Sequence, residues 1–282
     1  MEIVCDGGPS QGCGHLRRSL ALAQVLEERH HRVRVKPLSA SGAKILADAQ
    51  APNSQGAPDL LLFDLPDTID APIADACDGP IPTLALDYFG LARPTLTISV
   101  RERSETLHGQ RESGLEYAIV RDEIRQQTRG TAGHGVLLML GGSDVRGLTT
   151  SLAAVLVEQG AEVTVVLGPY APEPGQMGNA QVFRNPANLP ELMAKARWAV
   201  SSGGVSMTEL MYLGKAVHVA AQSEAEFNLA NLVLQQGGLL GVGVESLHVY
   251  TESEVEKVAG QASQIVDGLG AERIAQRIEA LL

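Results

Sequence analysis

One local pattern, an apolar segment followed by a glycine-rich loop and a helix, occurs twice in this sequence and constrains its fold more than any other feature. The first copy starts at residues 2–5, continues through Gly12-Cys13-Gly14-His15 and enters an amphipathic helix at 15–28. The second starts at 136–140, continues through Gly141-Gly142-Ser143-Asp144 and enters a helix at 148–158. Such units build right-handed βαβ folds with parallel sheets. The sequence therefore predicts an α/β protein with two similar halves.

Short apolar runs bounded by turn residues predict the remaining strands, because strands of a parallel sheet are buried on both faces. These runs lie at 33–36, 60–64, 83–87, 95–99, 163–167, 197–201 and 216–220, and the stretch 252–282 has a helical pattern. The apolar periodicity stops at 125–135, which we interpret as a linker. We therefore expect two doubly wound domains, 1–128 and 129–282, facing a central cleft at the carboxyl ends of both sheets, where open α/β sheets bind ligands.

Composition and charge exclude several functional classes. The net charge of −11 repels nucleic acids and acidic membranes, and the aromatic content of 4% disfavours stacking on bases. Three cysteines, an odd number, imply no disulfide framework and fit a reducing compartment. No signal-peptide pattern is visible at the N-terminus, and no apolar run approaches the ~20 residues of a membrane span. We expect a cytoplasmic protein with no nucleic-acid partner and no membrane span.

His15 is the candidate for proton transfer in the first half. It follows glycines that let the backbone approach a ligand, and it opens a helix whose N-terminus favours negative charge. Imidazole is suited to general acid–base chemistry; the other interpretation is a histidine that caps the helix or packs. A nucleophilic Cys13 is disfavoured, because no third group that would orient it is visible. The loop is not the Gly-x-Gly-x-x-Gly of dinucleotide sites, so no cofactor is expected, and the scattered histidines predict no metal site.

The segment 201–209, SSGGVSMTE, is the most specific local signal in the second half. Its small residues open a helix whose N-terminus can hold a pyrophosphate. Glu209 lies about one turn into that helix, where a carboxylate accepts hydrogen bonds from both hydroxyls of a ribose. The other interpretation is that Glu209 complements the helix dipole. Gly142 and Ser143 offer backbone N–H groups and a hydroxyl, or they form a tight turn in which Asp144 caps the next helix.

Four segments taken together resemble a known family: GCGHLRRSLALAQVL, EYAIVRDEI, LLMLGGSD and SSGGVSMTELMYLGKAV occur here in that order. They are similar to segments of the nucleotide-sugar hydrolases of the pseudaminic-acid pathway. Those hydrolases are related to the spore-coat polysaccharide biosynthesis proteins and, more distantly, to the glycosyltransferases that attach N-acetylglucosamine to the peptidoglycan lipid precursor. The resemblance extends from the first strand to about Gly238. It implies the GT-B architecture of two Rossmann-like domains.

The resemblance also implies an activity and a set of site residues. The hydrolase removes UDP from a UDP-linked amino and deoxy sugar by attack of water at the anomeric carbon, in bacterial surface-glycan biosynthesis. By this resemblance His15 orders or activates the water, and Glu209 binds the ribose. The nucleotide side further comprises Gly142, Ser143, Ser202, Gly203, Gly204 and Ser206, and the sugar side comprises Gly12, Gly14 and Arg17.

Two departures from the family pattern concern the sugar side. The family has an Asp-His-Tyr-Gly stretch whose tyrosine faces the sugar, and the corresponding stretch here, Asp64-Leu65-Pro66-Asp67, has no tyrosine. The family also has an Asn-Gln pair that by spacing falls on Ala225-Glu226, with Asn228 nearby. A polar site that loses its hydrogen-bonding groups changes the sugar that it accepts.

Three hypotheses follow from the sequence. The leading one is a UDP-sugar hydrolase that cleaves the anomeric C–O bond and releases UDP. The second keeps the same site but transfers the sugar to another hydroxyl, as a GT-B glycosyltransferase does. The third, motivated by the missing tyrosine and Asn-Gln pair, is a nucleotide-binding protein that has lost catalysis.

Overall fold

The structure is a computed structural model, and it describes residues 1–9, 12–66, 69–101 and 110–282. The chain forms two compact units. The first comprises Met1–Ile119 together with Gly268–Leu282, and the second comprises Val120–Asp267. Each unit consists of a parallel sheet whose strands are connected mainly by helices.

Strands and helices alternate along most of the chain. The strands are β1 (Glu2–Cys5), β2 (Arg34–Pro37), β3 (Leu61–Asp64), β4 (Thr83–Leu86), β5 (Leu96–Ser99), β6 (Gln110–Ser113), β7 (His134–Met139), β8 (Val163–Leu167), β9 (Gln181–Arg184), β10 (Ala196–Ser201), β11 (Ala216–Val219) and β12 (Gly241–Val242). The helices are α1 (Gly14–Glu28), α2 (Ala40–Asp48), α3 (Ala71–Cys77), α4 (Asp122–Arg125), α5 (Thr149–Glu158), α6 (Leu189–Lys195), α7 (Val205–Tyr212), α8 (Glu224–Gln235), α9 (Glu252–Ile265) and α10 (Gly270–Glu279).

The first unit contains a six-stranded sheet, among the described residues, with the order β2-β1-β3-β4-β5-β6 and parallel neighbours. Its core joins Ile3 and Leu62 of the strands to Leu22 of α1. Ile274 and Ile278 of α10 belong to the same buried cluster. Each such side chain contributes about 1.5–3 kcal/mol when it leaves water. The apolar face of the last helix therefore holds it in the first unit.

The second unit contains a sheet, six-stranded in the described part, with the order β12-β11-β10-β7-β8-β9, again with parallel neighbours. Leu138, Val165 and Val200 occupy the middle of this sheet and are fully buried. Leu152 of α5 and Val255 of α9 pack in the same cluster. Read in chain order, these strands have the 3-2-1-4-5-6 arrangement of a doubly wound fold.

In each sheet the direction of winding reverses once along the described chain. In the first sheet the reversal lies between β1 and β3, where Cys5 is paired with Asp64. In the second it lies between β7 and β10, where Met139 is paired with Ser201. Ligands of open α/β sheets bind beyond the carboxyl ends of strands at such points. The loops that follow these four strands are therefore the candidate ligand-binding loops of the two units.

The compact units differ from the expected domains 1–128 and 129–282. The first segment of the first unit ends at Ile119, and the stretch 125–135, interpreted as a linker, lies inside the second unit. It is held there by side chains of that unit, since Lys215 Nζ donates to Ala132 O at 2.9 Å and Arg197 donates to Thr131 O. The C-terminal segment crosses the boundary again because α10 packs on α1.

The predicted strands agree with the observed interior strands of both sheets and with the edge strand β2 to within about two residues. The stretch 252–282 forms two helices, α9 and α10, rather than one continuous element. Three strands at the edges of the sheets, β6, β9 and β12, do not correspond to any apolar run. None of the helices in the described residues is both long enough and apolar enough to cross a membrane.

Candidate functional site

The loop between β1 and α1 brings His15 to the switch point of the first sheet. Gly8 and Gly12 exchange backbone hydrogen bonds at 2.8 Å in both directions. Gly12 has φ +72°, a left-handed conformation that favours glycine. Gly14 is the first residue of α1, so that His15 and Arg17 both lie in its first turn. Ser10 and Gln11 of this loop lie outside the described residues.

His15 forms a pair with Asp64, the last residue of β3. The distance from His15 Nδ1 to Asp64 Oδ1 is 2.7 Å, and the Asp64 side chain is fully buried whereas that of His15 is 26% exposed. Ser19 Oγ, one turn further along α1, donates to Asp64 Oδ2 at 3.0 Å. The buried Asp64 carboxylate at the switch point therefore orients the imidazole of His15, and the ring remains accessible to solvent.

Arg18 links the His15–Asp64 pair to Asp87, which directly follows β4. Its Nε donates to Asp64 Oδ2 at 2.8 Å, and its guanidinium also pairs with Asp87. Ser99 Oγ donates to Asp87 at 2.8 Å. Burial alone raises the pKa of Asp64, but the charges of Arg18 and His15 and their hydrogen bonds outweigh burial and hold the pKa of this carboxyl well below its usual range. Asp64 is therefore ionised at neutral pH.

An ionised Asp64 determines the tautomer of His15. A carboxylate only accepts hydrogen bonds, so Nδ1 at 2.7 Å must carry the proton. Arg18 lies further from Nδ1, at 3.3 Å, and does not change this assignment. Nε2 of the neutral ring then holds the lone pair, which is the arrangement of a general base oriented by a buried carboxylate. The sequence indicated His15 but not the role of Asp64; the signal was an acidic residue that ends a buried strand beside the glycine loop.

Two other predictions concern the same region. Cys13 is buried next to α1, and burial, only partly offset by the charge of Arg17, raises the pKa of its thiol. A protonated, buried thiol is a poor nucleophile, and this disfavours a nucleophilic role for Cys13. Of the stretch that replaces the family's Asp-His-Tyr-Gly, Asp67 lies outside the described residues.

In the second unit the loops after β7 and β10 meet at the switch point. Gly141 has φ +75°, and a Cβ built on it would lie 3.5 Å from Ser202 Oγ. Ser143 is buried in the same turn. The N-cap residue of α5 is Leu148 and not the expected Asp144. Asp144 instead stabilises the helix start from the preceding turn, because its carboxylate accepts the N–H groups of residues 148 and 149, both at 3.0 Å. Gly142 and Ser143 thus follow Gly141 in a tight turn, and Gly142 O accepts the backbone N–H of Tyr170 at 2.9 Å.

The loop after β10 leads directly into α7. Gly203 and Gly204 precede the helix, and Ser206 is its second residue. Gly204 occupies the N-cap position and has no side chain that could cap the helix. The first backbone N–H groups of a helix have no intrahelical acceptor and carry the positive end of its dipole. The start of α7 therefore offers an anion several backbone donors.

Glu209 lies further into α7 and is fully buried. Arg121 Nε donates to Glu209 Oε1 at 2.6 Å, and Arg121 Nη2 donates to Oε2 at 2.7 Å. Both carboxylate oxygens are therefore engaged within the protein in this arrangement. A ribose can meet Glu209 only after Arg121 has moved. Arg121 lies in the segment EYAIVRDEI, but the sequence did not indicate its contact with Glu209.

Gly168, directly after β8, allows the loop after β7 to approach closely. A Cβ at this position would lie 2.3 Å from Gly141 O and 2.4 Å from Gly142 O, which are backbone atoms. Gly168→Ala is therefore expected to destabilise the protein by about 1–3 kcal/mol, as overpacking does. Gly260 is the control, since it is exposed in α9 with nothing within 4 Å of its Cβ position.

Gly260→Ala is expected to stabilise the helix by about 0.5–1 kcal/mol. Urea unfolding curves of the two variants and the wild type give the comparison. If both variants changed the free energy of unfolding equally and in the same direction, this result would contradict the close approach of Gly168 to the loop after β7.

Comparisons with known proteins relate the sequence and the fold to other molecules. No protein-family model matches the sequence. An uncharacterized protein of Methanocaldococcus jannaschii is 22% identical over 80% of this chain and 56% of its own length, so that the chain spans about half of that relative.

Solved structures match over almost the whole chain. MurG of Acinetobacter baumannii has a TM-score of 0.66 at 12% identity, with 99% of each chain covered. The glycosyltransferase SsfS6 of Streptomyces sp. SF2575, complexed with thymidine diphosphate, has a TM-score of 0.60 at 16% identity, with 99% of each covered. HepE of Anabaena in complex with UDP-glucose has a TM-score of 0.56 at 16% identity, with 100% of each covered.

These neighbours identify the architecture at the level of the fold. They do not single out the pseudaminic-acid-pathway hydrolases or the spore-coat proteins that the four sequence segments resemble. The two parallel sheets, their strand orders and the switch-point loops are those of a doubly wound α/β protein. The chain has the GT-B fold of glycosyltransferases.

Proposed function

We propose that this protein transfers a sugar from a UDP-sugar to a hydroxyl group of an acceptor. The observation that carries the proposal is the His15–Asp64 pair, a histidine oriented by a buried, ionised carboxylate at the carboxyl end of a parallel sheet. The GT-B fold supports it, because one neighbour is a glycosyltransferase complexed with thymidine diphosphate and another was solved with UDP-glucose.

In this proposal the second unit binds the nucleotide. The uncapped start of α7, with Ser202, Gly203, Gly204 and Ser206, provides N–H groups and hydroxyls for the diphosphate. Gly142 and Ser143 lie in the adjoining loop. Glu209 keeps α7 in place through Arg121, and its predicted contact with the ribose requires that Arg121 releases it.

The first unit provides the base. Nε2 of His15 removes the proton of the acceptor hydroxyl as its oxygen attacks the anomeric carbon. The bond between that carbon and the diphosphate oxygen breaks, and its electron pair leaves with UDP. The N-terminus of α7 stabilises the charge that develops on the departing diphosphate. Gly12, Gly14 and Arg17, in the same turn as His15, are the proposed contacts on the sugar side.

Hydrolysis is the second candidate, favoured by the order of the four sequence segments that resemble the nucleotide-sugar hydrolases. The chemistry is the same except that water replaces the acceptor hydroxyl. Transfer is the stronger candidate, because a neighbour of the same fold whose activity is stated is a glycosyltransferase.

Incubation with UDP-glucose, UDP-N-acetylglucosamine and dTDP-glucose, each with and without a set of hydroxyl-bearing acceptors, separates the candidates. The quantity to follow is nucleoside diphosphate released, resolved by anion-exchange chromatography. We expect release that depends on an acceptor. Equal release without acceptor would instead establish hydrolysis, and tight UDP binding with no release from any sugar would leave only nucleotide binding.

A further inference from the structure

Glu226 of α8 contacts the loop that opens α7. Its Oε2 accepts the backbone N–H of Gln222 at 2.7 Å. The carboxylate also lies near the backbone N–H of Gly203, which lowers its pKa. A Cβ on Gly204 would lie 3.2 Å from Glu226 Oε1. The carboxylate therefore lies directly against the segment where a diphosphate is proposed to bind.

The backbone of Glu226 is as close to this loop as its side chain. A Cβ on Gly203 would lie 2.6 Å from Glu226 O and 2.9 Å from Glu226 Cβ. Only glycine leaves room for α8 at this distance. The close packing of α8 on this loop therefore fixes the position of Glu226 and of its carboxylate.

The charge of Glu226 is not neutralised by a neighbour. Among the described residues no lysine, arginine or histidine forms an ion pair with it. The guanidinium of Arg146 donates to Ala221 O, and the backbone N–H of Arg146 donates to the Gln222 side chain. Burial, only partly offset by the two backbone hydrogen bonds, raises the pKa of this carboxyl.

Two anions cannot share one set of backbone donors without repulsion, which is strong where water is largely excluded. We propose that Glu226 is an internal anion that competes with the diphosphate of the nucleotide for the N–H groups of the α7 loop, and so weakens nucleotide binding. This proposal rests on the proposed nucleotide site.

Competition by Glu226 weakens the binding only of ligands that carry a diphosphate. Competition raises the dissociation constant of every ligand that carries a diphosphate, and it leaves the nucleoside part of the affinity unchanged. UDP released in the reaction then leaves more readily, because the carboxylate returns to the donors that the diphosphate vacates.

Glu226→Gln tests the competition, and Glu224→Gln is the matched control. Glu224 also lies in the first turn of α8 and loses the same charge when replaced, but it is exposed. Isothermal titration with UDP and with uridine gives two dissociation constants for each protein. We expect Glu226→Gln to tighten UDP binding by about tenfold or more, with uridine affinity unchanged and with both affinities of Glu224→Gln within twofold of the wild type.

Glu226→Ala, checked for its melting temperature, repeats the test without a side-chain amide. Equal UDP affinity in the wild type and both Glu226 variants would overturn the proposal, as would a parallel change in uridine affinity. In either case the proposed nucleotide site stands, because the wild type still binds UDP. Absence of UDP binding by the wild type and all variants contradicts the proposed function itself, and this inference with it.

Discussion

Replacement of His15 by alanine is expected to lower the rate of sugar transfer by about 10²–10⁴-fold, the range that a positioned general base contributes. The nucleotide is proposed to bind in the second unit, so UDP affinity should remain within twofold of the wild type. Steady-state rates of UDP release at saturating donor and acceptor, together with titration of UDP, measure the two effects. An exposed histidine, His134 at the start of β7, supplies the control His134→Ala, for which neither quantity should change.

Asp64→Asn tests the orienting role in the same assay. The amide of asparagine both accepts and donates hydrogen bonds, so it can pair with either tautomer of His15. The proton is then no longer held on Nδ1. We expect a loss of similar size, with UDP affinity retained and a melting temperature recorded because Arg18 also loses a partner. Transfer by His15→Ala at the wild-type rate would remove this residue from the mechanism.

Replacement of Arg121 by methionine is expected to have the largest effect on stability. Both Arg121 and Glu209 are buried, and their two hydrogen bonds at 2.6 and 2.7 Å leave no water between them. Removal of one partner leaves the other charge buried and unpaired, which costs about 3–5 kcal/mol. Urea unfolding followed by circular dichroism gives the free energy of unfolding.

We attribute the loss of stability in Arg121→Met to the unpaired charge of Glu209. Two further variants separate this charge from the loss of packing. The double variant Arg121→Met with Glu209→Leu buries no charge and should recover most of the loss. Glu123→Gln removes the other carboxylate that Arg121 contacts, whose side chain is 53% exposed, and should change stability by less than about 1 kcal/mol. A double variant as unstable as Arg121→Met would show that packing, not charge, is responsible.

The interior of both sheets could be predicted because buried parallel strands are apolar on both faces. Segments such as 136–140 and 163–167 carry that signal in their own composition. The edge strand β9 is exposed at all four of its residues and therefore carries none. Helix α10 is visible as a helix from its periodicity, but an apolar face does not specify its partner, and so the sequence could not indicate that it packs on α1.

The candidate site could also be predicted from the sequence only in part. The glycine loops and His15 stand out because small residues and a histidine after a strand are unusual. The partners of these groups are distant in sequence: Asp64 lies 49 residues from His15, and Arg121 lies 88 residues from Glu209. Only the fold brings them together, and it also explains why Gly168 and Glu226 matter, since each acts by its distance from a loop elsewhere in the chain.

The proposed nucleotide site is tested most directly by the response of individual backbone amides to UDP. Nitrogen-15 spectra of the labelled protein, recorded as UDP is added, report on each glycine separately. We expect saturable shifts of Gly142, Gly203 and Gly204 at the carboxyl ends of β7 and β10, with Gly130 and Gly133, which precede β7, unchanged. Saturable shifts of Gly130 and Gly133 with Gly203 and Gly204 unmoved would contradict it.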